Sequence, residues 1–539
     1  MNTQTAVREF CLLGLLMLNV YIAYTFTMNE HNYFSLLEGD VLQTFVVFLG
    51  GSTVITSVLA VFIFRRFRNN FALASSRLLN FKQVKGEQRR ARNTVFHTKR
   101  QRKYKTDTSA MPVSKNLKLA TKKSFEHVLL VGPTGSGKSS SVFIPILNEI
   151  DDISLVVTDP KSELHNKTKT LFAERGYKVY HLNLYNASVS VAYNLLGNCR
   201  TLDDIRKLSE TILGNDEWGR LSKTLLEAFL FKIWEEEGTL TDVVDALANA
   251  PTDMEELELE YFTNVSTEAL RAFKQFAKTA QGDGFVSSVF ATIQSKMKVF
   301  EFDNVQAISQ GDSLDVSLLR KEKSVLFVSY PEDESEVYSS FLSSFYYQLF
   351  NYIKNDSSVS EETGDGQGLG VLFLLDEFAN LGYVPAIDTL LSTIRSKKMG
   401  MMLGVQSVAQ LRKVYGDSYD TIVENCKTKI ALGGITGATA EFFVKLAGKE
   451  QYTNLSHSYG DSNSSMSMSE QTKNVLNEDD IRRLKTYELI VIADNLRPIK
   501  DYRNFYYLNN LQYFIWRNSP FSNDFTDKLM YLARSRKKR

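Results

Sequence analysis

The chain has 539 residues, which at about 150 residues per domain corresponds to about three to four structural units, so a single small module is excluded. Hydrophobic residues make up 43% and charged residues 23%, the balance of a chain that buries large cores and not of a disordered one. Lys and Arg number 63 against 62 Asp and Glu, a net charge of +1, so any preference for an anionic partner lies in how charge is distributed.

Residues 10–28 run nineteen positions without a charge, and residues 41–64 run another twenty-four. As helices they measure about 29 Å and 36 Å, enough to cross a hydrocarbon core of about 30 Å. A cleavable signal peptide is the alternative for the first run, but no small-x-small site follows it and a second apolar run comes soon after. The connecting residues 29–40 hold Glu30, Glu38 and Asp40 with no Lys or Arg, whereas Arg8 precedes the first run and Arg65, Arg66 and Arg68 follow the second. This asymmetry predicts a multi-pass anchor in the cell membrane with both termini and all downstream residues on the cytoplasmic side. The cysteines agree with that side: Cys11, Cys199 and Cys426 are too scattered for a zinc site and too few for a disulfide scaffold.

Residues 65–126 carry eighteen Lys or Arg against Glu87, Asp107 and Glu126. Anchoring to anionic lipid, worth about 1 kcal/mol per basic residue near the surface, is the default reading. A collar that gathers nucleic-acid phosphates is the alternative.

Residues 127–131 read as a short apolar strand, followed at once by Gly132, Pro133, Thr134, Gly135, Ser136, Gly137, Lys138 and Ser139, then by a predicted helix over 140–149. Strand, glycine loop and helix in that order make a phosphate cradle: backbone N–H groups curl round the phosphates, Lys138 reaches the β and γ phosphates, and Ser139 offers its hydroxyl to Mg2+. The helix N-terminus adds a favourable dipole. ATP and Mg2+ are the cofactors this pattern implies.

Four further elements carry candidate site residues. Residues 153–158 form a strand ending in Asp159 and Lys161; Asp159 reads either as a group behind those that touch the nucleotide or as a turn former before Pro160. Residues 371–375 are wholly apolar, as a central parallel strand requires, and end in Asp376, a Mg2+ ligand through water, and Glu377, which orients or deprotonates the attacking water. A helix over 385–398 carries Arg395, Lys397 and Lys398 in its last turn. Arg395 reads either as a finger reaching a neighbouring subunit's γ phosphate or as a cation favourably placed at a helix C-terminus. Residues 401–405 form another strand ending in Gln406, a γ-phosphate sensor or an ordinary strand-capping amide.

With these in place the chain resembles the type IV secretion coupling proteins, the membrane-bound motor ATPases of conjugation. The resemblance rests on VGPTGSGKSSSVFIPIL from Val131, VVTDPKSEL from Val156, LLDEFANLG from Leu374 and GVQSVAQLRKVYG from Gly404. It implies an α/β fold: a RecA-like P-loop NTPase motor domain with an inserted all-α domain, behind an N-terminal two-helix transmembrane hairpin. It also implies a homo-hexameric ring. The expected boundaries are 1–68 for the transmembrane domain, 69–126 for the basic juxtamembrane segment, 127–198 and 311–539 for the two parts of the nucleotide-binding domain, and 199–310 for the all-α domain.

Independently of the resemblance, residues 199–300 show helical periodicity, as at Leu221, Leu225, Phe229 and Ile233, and no strand pattern. Residues 200–300 hold eighteen acids and eleven bases, 11 − 18 = −7, so this lobe repels phosphates and is expected to dock cargo protein, with a solvated surface as the alternative. A strand over 324–329 and a helix over 336–354 resume the motor. Residues 356–370 and the serine-rich 456–469 read as surface loops, and the basic tail 534–539 as a solvated end.

The expected activity is an ATPase that couples a DNA-processing complex to a type IV secretion channel and drives its transfer. The implied partners are DNA as a relaxase-bound single strand, the relaxase and its accessory proteins, the channel subunits and the lipid bilayer. The alternatives are an ATP-binding docking receptor without motor activity and a duplex DNA translocase.

Overall fold

The structure, a computed structural model, describes residues 79–80, 92–99, 101–214, 216–280, 282–359, 367–460 and 463–508. Both apolar runs expected to span a membrane and the basic tail lie outside the described residues. Among the described residues no helix is long and apolar enough to cross a membrane.

The chain order begins with strands β1 (Leu79–Asn80), β2 (Phe96–Thr98), β3 (Met111–Pro112) and β4 (Leu117–Leu119). Strands β2, β4 and β3 form a small antiparallel sheet that buries Phe96, Met111, Leu117 and Leu119. This sheet falls within residues 69–126, expected as a basic segment against lipid or phosphate. Lys118 between two buried leucines is strand alternation there, and its ammonium pairs with Glu149 at 3.2 Å.

The main sheet is built from strands buried on both faces, the pattern of strands covered by helices on either side, except its edge strand at residues 178–183, whose first four residues are exposed or half-buried. In chain order they are β5 (Val128–Val131), β6 (Ser154–Thr158), β7 (Lys178–Asn183), β8 (Ser324–Ser329), β9 (Val371–Leu375), β10 (Met399–Val405) and β11 (Thr428–Leu432). They lie parallel in the order β11-β5-β10-β9-β6-β8-β7. The register pairs Val405 with Val131 and Leu403 with Leu375. Gly132, Asp376 and Gln406 therefore leave the sheet at one edge, the carboxyl edge where open α/β sheets bind ligands.

Strand β5 starts one residue later than its apolar run suggests, because His127 takes a left-handed φ of 59°. Its ring is locked between two elements: Nε2 donates to Leu391 O at 2.9 Å, and the Met401 N–H donates to Nδ1 at 3.1 Å. The helix expected over 140–149 is a π-helical turn, Ser139–Phe143, followed by α1 (Ile144–Glu149). Single π turns are frequent at functional sites. After β6 comes α2 (Glu163–Glu174).

Between β7 and β8 the described residues run through α3 (Leu202–Leu213), α4 (Glu217–Glu235), α5 (Leu240–Asn249), α6 (Met254–Tyr261), α7 (Thr267–Thr279), α8 (Asp283–Met297) and α9 (Asp303–Ser309), with no strand among them. Thr201 with Asp204 and Thr239 with Asp242 form reciprocal capping boxes that start α3 and α5. Of the periodic residues read on α4, Leu225, Phe229 and Ile233 are buried, but Leu221 is 41% exposed. The apolar stripe is one turn shorter than the spacing suggests.

Helix α10 (Ser335–Asn355) packs behind β9, and α11 (Ile387–Thr393) leads into a 3-10 turn, Ile394–Lys397. The buried Arg320 ties the base of the sheet together, donating to Leu369 O at 2.7 Å, Ile353 O at 3.1 Å and Lys397 O at 2.6 Å. The loop expected over 356–370 is described only at its two ends, residues 360–366 lying outside the described set.

The serine-rich stretch is not a loop. Strands β12 (Lys449–Gly460) and β13 (Asn463–Asn474) pair in a two-stranded sheet, so six of the serines, Ser456, Ser458, Ser464, Ser465, Ser467 and Ser469, fall within extended chain. Composition alone missed this, since it weighs the side chains and not the partner strand. The main sheet ends in β14 (Glu488–Ala493), antiparallel to β11, and β15 (Ile499–Tyr502), antiparallel to β14 and parallel to β1.

Candidate nucleotide site

The glycine loop joins β5 to the π-helical turn. Gly135 and Gly137 have φ of 73° and 80°, values open to glycine, and at Gly132 a Cβ would meet Ser136 Oγ at 2.7 Å and Leu432 Cδ1 at 2.9 Å. The loop encloses a cavity of about 270 Å3 lined by residues 133–140 together with Asp159, Lys161, Glu332, Asp376 and Glu377 among others.

Four expected site residues meet inside it. The buried Lys138 ammonium donates to Gly132 O at 3.0 Å and pairs with Glu377 Oε1 at 2.9 Å. Ser139 Oγ donates to Asp376 Oδ2 at 3.1 Å, and the Glu377 N–H donates to Asp376 Oδ1 at 3.1 Å. Glu377 takes a left-handed φ of 56°, which for a residue with a Cβ costs about 1–2 kcal/mol. That turn coincides with a carboxylate leaving the strand direction to meet Lys138, and strain of this kind collects at functional sites.

Burial pushes the Asp376 carboxyl up to about 7, against the pull of Lys138 and with the Glu377 charge adding to the rise. Asp159, 2% exposed, is pushed up to about 6 by burial, although backbone N–H groups of His165, Leu164 and Glu163 oppose the shift. Its Oδ2 accepts from His165 N at 2.8 Å and its carbonyl from Ser162 N at 2.9 Å. Asp159 thus lines the cavity and also builds the turn that starts α2. Lys161 pairs with Glu332 at 2.7 Å at the rim.

Ser139 and Asp376 present a hydroxyl and a carboxylate side by side, hard oxygen donors suited to Mg2+, which needs only one or two protein ligands beside phosphate oxygens. Among the described residues no group of three or more His, Cys, Asp or Glu is placed to hold a metal ion by itself.

Two expected residues lie elsewhere. Gln406 stands at the tip of β10, beside the loop but outside the cavity lining, with its N–H donating to Gln410 Oε1 at 3.1 Å. Arg395 sits past α11 at the amino edge of the sheet, where it pairs with Glu126 at 2.6 Å and stays 64% exposed. Within one chain it is across the sheet from the phosphates.

Sequence reasoning missed Arg503, which follows β15 and is 2% exposed against the back of the loop. Its donors reach Ser136 O, Ser141 Oγ and Thr486 O. The only hint was a lone Arg in a run of aromatic residues.

The sequence profile of the type IV secretory system conjugative DNA transfer family matches residues 78–538. Protein VirD4 of Rhizobium radiobacter is 23% identical over 394 residues, 69% of this chain and 56% of that protein. Conjugal transfer protein TraG of Escherichia coli is 26% identical over 369 residues, 61% of this chain and 56% of that protein. The chain thus aligns with about half the length of these curated relatives. Among solved structures, plasmid coupling protein TrwB in complex with the non-hydrolysable ATP analogue ADPNP superposes with a TM-score of 0.58 at 18% identity, covering 80% of this chain and 93% of TrwB. TrwB in complex with ADP and Mg2+ gives the same TM-score of 0.58. At that identity the shared property is the fold, an α/β core around a mixed sheet. The profile match spans most of the chain, and the chain belongs to the type IV secretory system conjugative DNA transfer family, the coupling-protein family its motifs resemble.

Proposed function

We propose that this protein is a membrane-anchored ATPase that couples a relaxase-bound DNA strand to a type IV secretion channel and drives its transfer. The observation that carries this reading is the meeting of Lys138, Ser139, Asp376 and Glu377 in one cavity at the carboxyl edge of the sheet. The chain's own residues supply binding and proton handling. In the state seen, Lys138 holds Glu377. A nucleotide whose phosphates draw Lys138 away releases the Glu377 carboxylate to orient a water and take its proton as the terminal phosphoryl group leaves. Ser139 and Asp376 would hold Mg2+, which when bound would supply charge neutralisation at the phosphate oxygens.

The transmembrane hairpin, the cytoplasmic orientation and a hexameric ring are parts of the same proposal, supported by the charge asymmetry around residues 10–64 and by family membership. In such a ring Arg395 would have to serve a neighbouring copy, since within its own chain it pairs with Glu126 away from the phosphates. Replacing the chain in its host by the Glu377→Gln form tests the motor. Loss of DNA transfer to recipient cells is expected, and retained transfer would favour the docking receptor.

A pH dependence follows from Asp376. Its carboxyl is raised to about 7, so below that pH it is mostly protonated and cannot serve a cation. Binding of Mg2+–ADP should therefore weaken as pH falls from 8 to 6, approaching about tenfold per unit below 7. Binding of ADP in chelator, measured alongside, should lack this component. Equal pH profiles with and without Mg2+ would contradict the assignment of Asp376.

A further inference from the structure

A phosphate loop works only if its peptide N–H groups face inward, which leaves the paired carbonyls facing outward and needing partners. In a trans peptide the C=O and the following N–H point in opposite directions. Whatever fixes the Ser136 and Gly137 carbonyls therefore also aims the Gly137 and Lys138 N–H groups.

Both carbonyls are held from one side. Arg503 Nη2 donates to Ser136 O and, at 2.7 Å, to Ser141 Oγ, to which Nε also donates at 3.0 Å. Ser141 Oγ in turn donates to Gly137 O at 2.8 Å. The guanidinium thus holds one loop carbonyl directly and reaches the next through a serine relay, where the Ser141 N–H at 3.0 Å and Ser140 Oγ at 3.3 Å also donate to Gly137 O. Its remaining arm, Nη1, donates to Thr486 O at 3.0 Å, and its own N–H to Tyr487 O at 2.9 Å, so the clasp is anchored at the start of β14. At Gly137 a Cβ would lie 3.0 Å from Arg503 Nη2, so the glycine there admits the guanidinium as well as the turn. The chain after Arg503 continues along the same helix, with Asn504 Nδ2 on Glu149 Oε1 at 2.9 Å and Tyr506 N on Ser140 O at 3.3 Å.

We propose that Arg503 is a positioning residue for the nucleotide: it sets the Ser136 and Gly137 peptide planes from behind, so that their N–H groups face the phosphate chain. The inference rests on the nucleotide reading above. A planar fork is required, because lysine has one compact donor centre and cannot span Ser136 O, Ser141 Oγ and Thr486 O together.

The test uses the full chain in lipid nanodiscs, comparing wild type with Arg503→Met, Arg503→Lys and Ser141→Ala. Binding of ADP and of inorganic pyrophosphate is titrated, and the melting midpoint is taken without ligand. Arg503→Met should weaken both ligands by the same factor, about tenfold to a hundredfold, the worth of one to two misaligned hydrogen bonds to charged groups. Arg503→Lys should fall between it and wild type, and Ser141→Ala should show a smaller loss of the same kind, with melting midpoints near wild type. If Arg503→Met fails to fold, the other two variants decide. Wild-type affinities in folded Arg503→Lys and Ser141→Ala overturn the inference, as does a loss for ADP that pyrophosphate does not share. If wild type binds neither ligand, the nucleotide reading itself fails and takes this inference with it.

Discussion

Lys138→Ala is expected to weaken ATP binding by about 10²- to 10³-fold, read by titrating a fluorescent ATP analogue into the full chain. The cavity is lined by five acids, Asp159, Glu163, Glu332, Asp376 and Glu377, and the Lys138 ammonium is buried beside the last two. A triphosphate brings several more negative charges into the same space. At 4 Å and an effective dielectric of about 20, each like-charge pair costs about 4 kcal/mol, and without the ammonium the backbone N–H groups are left to offset that alone. Truncating one partner of a buried charge pair costs about 2–5 kcal/mol, or about 30- to 5000-fold, a range that brackets the loss stated. Affinity within threefold of wild type would show that Lys138 does not meet the phosphates.

Glu377→Gln should separate binding from turnover. The amide keeps the size of the carboxylate but cannot accept the water's proton, so hydrolysis should fall by about 10²- to 10⁴-fold. Binding should move the other way. In the unliganded state Glu377 competes with phosphate for Lys138 at 2.9 Å, and the neutral amide removes that competitor together with a repelling charge. ATP affinity is therefore expected to rise by up to about tenfold. A variant that loses binding and turnover in parallel would place Glu377 in the scaffold of the loop and not in the proton path.

Part of this site is legible in sequence because it is local. The apolar runs read at 127–131, 371–375 and 401–405 fall on strands buried on both faces, and the glycine loop, the two acids and the glutamine at their ends are thereby placed. Backbone direction is not legible in the same way. Nothing in the residue types tells that Glu377 turns left-handed toward Lys138, or that His127 does so at the other end of β5. Arg395 shows the limit of a linear argument, since proximity to the acid-tipped strand in sequence did not say which edge of the sheet it would occupy. Arg503 shows a different limit: the Ser136 carbonyl it holds is 367 positions away, and only the sheet order brings β15 against the loop.

The most direct test of the central claim is ATP hydrolysis by the full chain in lipid nanodiscs, with and without single-stranded or duplex DNA, alongside Glu377→Gln. A DNA-driven motor predicts turnover that rises when DNA is added and collapses in the variant. Nucleotide bound at full occupancy, with turnover at the level of Glu377→Gln whichever DNA is present, would contradict it.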